Sequence, residues 1–139
     1  MKHAIDSSVI VAALHAAHAG HAACRRVLLA GRPCALGHGL SETFATLTGG
    51  RLGLRITAAD AAAILGDQIA PRLQVVALTA RELLKAYAEA PDRGVRGGAI
   101  YDYLHLVAAR KAGAARLYTL NVADFHAFHR PGDPEIVHP

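Results

Sequence analysis

The chain has 139 residues, 53% hydrophobic and 19% charged, which is too apolar for intrinsic disorder and leaves ample material for a packed core. Lys and Arg number 15 against 11 Asp and Glu, a net charge of +4 that mildly favours a polyanionic partner such as nucleic acid. Two cysteines, Cys24 and Cys34, exclude a disulfide framework, and Arg, His, Asp or Gly interrupts every apolar run well before the roughly 20 residues of a membrane-crossing helix.

In chain order, Lys2 to Ile5 reads as a strand ending at Asp6, and Ser7 to about Ala17 as a helix with Val9, Ile10, Ala13 and Leu14 at helical spacing. His21 to Leu29 is a second helix, closed by Gly31 and Pro33. Cys34-Ala35-Leu36 is a strand, Gly37-His38-Gly39 a turn, and Leu40 to about Leu47 a helix ending at Gly49-Gly50. Thr57 or Ala58 starts a helix that reaches about Ile69, and Leu73 to Leu78 reads as a buried strand rich in β-branched residues. Thr79 with Glu82 three positions on forms a capping box for a helix running to about Ala90, before Pro91. Asp92 to Gly98 is a loop, Ala99 to Ala112 a long helix and Leu117 to Leu120 a strand. Val122 to Phe128 makes a helical turn and Glu135 to Val137 a last strand. Strands separated by helices predict a mostly parallel sheet covered on both faces, a three-layer α/β/α sandwich. One domain over residues 1–139, in the cytoplasm and away from membranes, is the expectation; Asp6 stands where a secretory signal needs a long apolar region.

Ligand sites in such sheets lie beyond the carboxyl ends of the strands, and two of the few acids fall there. Asp6 ends the first strand and Asp124 lies just past the strand ending at Leu120. A helix N-cap accounts for Asp6 equally well, as does a favourable helix dipole for Asp124. Asp102 shares a helical stripe with Leu106 and Ala109, and Glu42 lies one turn from apolar residues, although either is also compatible with a solvated surface. A lone buried carboxylate is costly unless paired or metal-bound. Four carboxylates gathered at one edge would repel one another, and hard oxygen-liganded Mg²⁺ or Mn²⁺ would relieve that repulsion.

The pieces Ile5-Asp6-Ser7-Ser8, Ser41-Glu42, Gly97-Gly98-Ala99-Ile100-Tyr101-Asp102 and Thr119-Leu120-Asn121-Val122-Ala123-Asp124-Phe125 occur in an order and spacing that resemble PIN-domain ribonucleases of the VapC toxin type. The resemblance implies an acidic pocket of Asp6, Glu42, Asp102 and Asp124 acting as catalytic and metal-binding residues, with Asn121 and Thr119 as accessory positions. It further implies Mg²⁺ or Mn²⁺ dependence, an RNA substrate, a homodimer, and inhibition by a VapB-type antitoxin. Arg93 and Arg96, in the loop before Asp102, are candidate phosphate contacts, with plain solvated arginines as the competing reading.

Other chemistries find little support. His15, His18 and His21 recur every three residues, a step that drifts around a helix, and no His-Glu-x-x-His zinc pattern occurs. His105 is placed near the pocket rim or as a partly buried helix residue. There is no Gly-x-Ser-x-Gly elbow and no glycine-rich nucleotide loop. Two alternatives persist: a PIN fold that only binds RNA or a partner, and a response-regulator-like signalling domain. The second wants a lysine after the fifth strand, yet the lysines are Lys2, Lys85 and Lys111.

Overall fold

Five strands of three residues each are the whole sheet, and their brevity places both strand ends close to the molecular surface. The computed structural model describes residues 1–139. The chain runs β1 (His3–Ile5), α1 (Ser7–Leu14), α2 (His21–Leu29), β2 (Cys34–Leu36), α3 (Gly37–Gly49) and α4 (Ala58–Ala63). A π-helical turn (Ile64–Ile69) and a 3₁₀ turn (Ala70–Arg72) lead into β3 (Gln74–Val76). Then come α5 (Ala80–Arg93), α6 (Ala99–Lys111), β4 (Arg116–Tyr118), α7 (Val122–Phe128) and β5 (Glu135–Val137).

The sheet order is β3-β2-β1-β4-β5 and every pairing is parallel, with Ala4 opposite both Cys34 and Leu117. Because successive side chains point to opposite faces, the strands supply two cores. Ala4, Cys34 and Leu36 face α5, α6 and α7, packing with Tyr103, Leu106 and Phe125. Ile5 and Ala35 face the other way, into Val9, Ile10, Leu28, Leu65 and Ile69. The three-layer α/β/α arrangement follows from that alternation.

The chain leaves β1 toward β2 and β3, then returns to its other side for β4 and β5. Strand order therefore reverses between β1 and β4, and the crevice beyond their carboxyl ends is the natural ligand position. Response-regulator domains set the first strand between the second and third, whereas here it lies between the second and fourth, so that alternative falls on topology.

Several boundaries differ from the sequence expectation. Helix α1 stops at Leu14, not Ala17, since His15 turns to extended backbone and His21 Nδ1 takes the Ala12 carbonyl at 2.9 Å, folding α2 back onto α1. Gly37-His38-Gly39 is the first turn of α3 and not a separate turn. A tertiary contact explains Gly39: a Cβ there would stand 3.0 Å from His105 Cε1. The strand expected over Leu73 to Leu78 shrinks to Gln74–Val76 at the sheet edge, where Val75 is 44% exposed. Pro91 does not end its helix; it sits inside the last turn of α5, which closes on Gly94 at φ +68, a left-handed cap that glycine adopts freely. The capping box of Thr79 and Glu82 forms as expected.

Candidate acidic active site

Asp6 ends β1 and is 2% exposed. Its Oδ1 accepts from the Val9 backbone N–H at 3.3 Å and from Ser8 Oγ at 2.5 Å, and its Oδ2 accepts from Thr119 Oγ1 at 2.6 Å. Both readings of this residue hold together, since it caps α1 while presenting a buried carboxylate at the switch point. The two hydroxyls also fix the far side of the crevice. Ser8 Oγ accepts from the Leu120 N–H at 3.0 Å and Thr119 Oγ1 from the Asn121 N–H at 3.0 Å. The end of β4 is thereby sewn to the end of β1 through Asp6.

Glu42 lies on α3, and His105 on α6 donates through Nε2–H to Glu42 Oε1 at 2.8 Å. Ser7 Oγ donates to Glu42 Oε2 at 3.3 Å. His105 is 2% exposed, and its Nδ1 has no hydrogen-bond partner. Burial opposes its charged form, but the Glu42 hydrogen bond and the negative charges of Asp6, Glu42 and Asp102 outweigh that and raise its pKa. Burial likewise pushes Glu42 up, and the His105 hydrogen bond and charge, with smaller help from His38 and Ser7, carry it below the usual carboxylate range. The imidazole is therefore an internal partner for the acids and not a rim residue. Of the two readings the sequence offered, pocket rim or partly buried helix residue, the buried one is nearer; the pairing with Glu42 was not foreseen.

Asp102, in the first turn of α6, has no such partner. Burial and then repulsion from Asp6 push its carboxyl up to about 6, with Asp124 and Glu42 adding to the rise and His105 partly offsetting it. Asp102 thus feels the charge of all three other acids that the motif comparison singles out. Asp124 stands exposed in the first turn of α7. Asn121 occupies the cap position of that helix without a side-chain cap bond, so its amide is left for other contacts.

The arginines divide. Arg93 is the last residue of α5 and is committed internally: Nη1 donates to Asp133 Oδ2 at 2.5 Å and to the Phe128 carbonyl at 3.1 Å, with the guanidinium over the Tyr103 ring. It anchors the segment before β5, which is neither the phosphate contact nor the solvated loop arginine that the sequence offered. Arg96 is exposed. Arg93→Ala should cost about 2 kcal/mol in urea unfolding, because Asp133 loses its main partner while 4% exposed, and should leave RNA affinity unchanged.

Apart from the imidazoles of His105 and His38, donor chemistry at the crevice is carboxylate, hydroxyl and amide oxygen, and the free thiols Cys24 and Cys34 are buried in the two cores. That set suits a hard divalent cation. No three acidic or imidazole groups already stand in position to ligate one ion. Asp6 carries its hydrogen bonds to the Ser8 and Thr119 hydroxyls, and Glu42 its bond to His105. The group fits by donor type and by the unmet charge at Asp102. A groove of about 640 Å³ adjoins the acids through Ser7, Ser8 and Asn121 and continues past His18, Thr46 and His138.

A five-stranded, all-parallel sheet in this order between two layers of helices defines an α/β domain of PIN type. The PIN-domain profile matches residues 4–128, and the chain belongs to that family. It is 36% identical over 107 residues to Ribonuclease VapC27 of Mycobacterium tuberculosis (strain ATCC 25618 / H37Rv), covering 76% of this chain and 75% of that protein. Its fold is similar to that of Mycobacterium tuberculosis VapC20, a sarcin–ricin-loop-cleaving toxin, at TM-score 0.71 and 24% identity over 99% of this chain and 100% of that one. A toxin–antitoxin complex from Klebsiella pneumoniae matches at TM-score 0.66 and 12% identity, over 100% of this chain and 98% of that one. The resemblance is to VapC-type members.

Proposed function

We propose that the protein is a Mg²⁺- or Mn²⁺-dependent endoribonuclease, the toxin of a toxin–antitoxin pair, working through Asp6, Glu42, Asp102 and Asp124. The observation that supports the reading is where the fold puts these residues: Asp6 joins the ends of β1 and β4 at the switch point, Ser7 beside it bonds to Glu42 of α3, and the start of α6 that carries Asp102 stacks through Tyr101 on His38 of α3. The likeness to Ribonuclease VapC27 supports RNA as the substrate.

Asp6 and Asp102 would hold the cation, with Glu42 and Asp124 completing the donor set. When bound, it supplies the positive charge that draws in a phosphodiester and acidifies a water for in-line attack on phosphorus. Ser8 and Thr119 fix the position of Asp6 at the end of β1. His105 Nε2 and Ser7 Oγ hold Glu42 beside the others. The net charge of +4 favours the approach of RNA as a polyanion.

As the water oxygen bonds to phosphorus, the bond from phosphorus to the 3′ oxygen breaks. The products are a 5′-phosphate and a 3′-hydroxyl, because the RNA 2′-OH takes no part. Incubation of total RNA with Mn²⁺ should give these ends, and excess chelator should stop the reaction. Terminal 2′,3′-cyclic phosphates, or undiminished cleavage in chelator, would overturn the mechanism. Binding of RNA without cleavage would favour the PIN fold that only binds. A VapB-type antitoxin entering the acid crevice and a homodimer belong to the same proposal, checked by co-purification and by light scattering. No helix is long and apolar enough to cross a membrane, in keeping with a cytoplasmic site of action.

A further inference from the structure

We infer that Tyr101 and His38 form a base-stacking platform beside the acids, so that the RNA this site accepts presents an unpaired base there. The inference deepens the ribonuclease reading and rests on it for the nature of the ligand. Helices α3 and α6 begin side by side, and each carries one ring in its first turn next to an acid. His38 precedes Glu42 by one helical turn, and Tyr101 immediately precedes Asp102. The rings lie 5.3 Å apart between centroids and 16° from parallel.

Folding does not account for this placement. Tyr103, two residues further on, shows what the fold does with a tyrosine it needs: it is fully buried, with its hydroxyl on Glu89 Oε1 at 3.2 Å. Tyr101 is instead 50% exposed, and neither its hydroxyl nor the His38 ring nitrogens make a hydrogen bond. Two exposed rings, stacked on each other and free of hydrogen bonds, stand next in sequence or one helical turn from the proposed acids Asp102 and Glu42. A nucleobase offers a flat face to such rings whatever its identity, provided it is not already stacked within a duplex. The geometry therefore selects single-stranded or looped RNA and leaves base identity open.

The test compares the parent with Tyr101→Ala and Tyr101→Phe on a single-stranded RNA oligonucleotide and on the same strand annealed to its complement. In Mn²⁺, Tyr101→Ala should raise KM for the single strand about tenfold, equivalent to ~1.4 kcal/mol, with kcat little changed. Tyr101→Phe, which keeps the ring, should bring KM back to the parent value. Preference for single strand over duplex should shrink with the ring. In chelator, the parent should quench a 2-aminopurine placed in the single strand, and Tyr101→Ala should not. Equal KM for parent and Tyr101→Ala, or equal losses on single strand and duplex, overturns the platform. A Tyr101→Ala protein that handles RNA as the parent does but no longer binds an antitoxin overturns it too, and assigns the rings to a protein partner. The quenching arm needs no cleavage: if the parent cuts no RNA yet shows ring-dependent quenching, the platform stands and the nuclease reading falls. Unchanged circular dichroism and Tm confirm that the variants are folded, as expected for a side chain on the surface.

Discussion

Asp102→Asn is expected to abolish RNA cleavage and, in chelator at pH 7.5, to make the protein more stable than its parent. The first effect follows from removing one of the two carboxylates proposed to hold the cation. The second follows from the state of that carboxyl without metal. Its pKa is raised from 3.8 to about 6 by burial first and by Asp6 next. A carboxyl raised on folding favours the native state in its protonated form, so its contribution is fully present below the unfolded value and is lost as pH rises through the folded one. Between pH 4 and 6 the parent gives up stability that the amide variant never had to lose. A shift of about two units corresponds to ~3 kcal/mol, and solvent screening of a half-buried group reduces this to about 2 kcal/mol. For a chain of this length the gain amounts to roughly 5 °C in Tm. His105, also raised, gains stability on acidification in the parent, so the readout is the difference between variant and parent across pH 4 to 8. Saturating Mn²⁺ should shrink that difference, because the cation stabilises the ionised parent and finds a poorer site in the variant. Retained cleavage removes Asp102 from the proposed mechanism, and a loss of stability in chelator makes it a structural residue.

What the sequence disclosed, and what it hid, divides along the range of the interactions involved. Helices with a clear apolar stripe were legible, as was the capping box of Thr79 and Glu82, because both are set by residues within four positions of each other. The stripe of Leu106 and Ala109 beside Asp102 left its surroundings open between an apolar face and a solvated one, and the structure makes it half-buried. Glycine and proline misled where their cause was tertiary. Gly39 looks like part of a turn, yet it lies inside α3 because the His105 ring leaves no room for a Cβ. Pro91 looks like a stop, yet α5 runs on to Arg93, whose guanidinium is held by Asp133 and the Phe128 carbonyl. The pairing of Glu42 with His105 spans 63 positions and leaves no mark on local pattern. Thr119 is similar: its bond to Asp6 spans 113 positions and depends on the parallel register of β1 with β4, whereas the Ser8 bond to Asp6 is local.

Asp6 should behave in the opposite sense to Asp102, although both are expected to be essential for cleavage. Truncation in Asp6→Ala removes the cap of α1, worth about 1 kcal/mol. It also strands the Thr119 hydroxyl, which is fully buried, and leaves Ser8 without its acceptor. Losing a buried acceptor adds about 2 kcal/mol. Relief of the repulsion on Asp102 returns part of this, so the expected net loss is about 2 kcal/mol, measurable as a lower urea midpoint in chelator. Asp6→Asn is milder, because Oδ1 can still accept from Ser8 and the Val9 N–H while the amide nitrogen faces Thr119 Oγ1. That oxygen already accepts from the Asn121 N–H, so it must take a second donor and turn its own hydrogen away. The asparagine variant should therefore lose about 1 kcal/mol and still lose all cleavage. Activity alone would not distinguish Asp6 from Asp102, but the sign of the stability change in chelator does. Asp6 is fastened by three hydrogen bonds that the fold needs, whereas Asp102 is held against repulsion that a cation would relieve. Parent-like stability in Asp6→Ala would mean that the hydroxyls of Ser8 and Thr119 find other acceptors, and that the join between β1 and β4 does not run through this carboxylate.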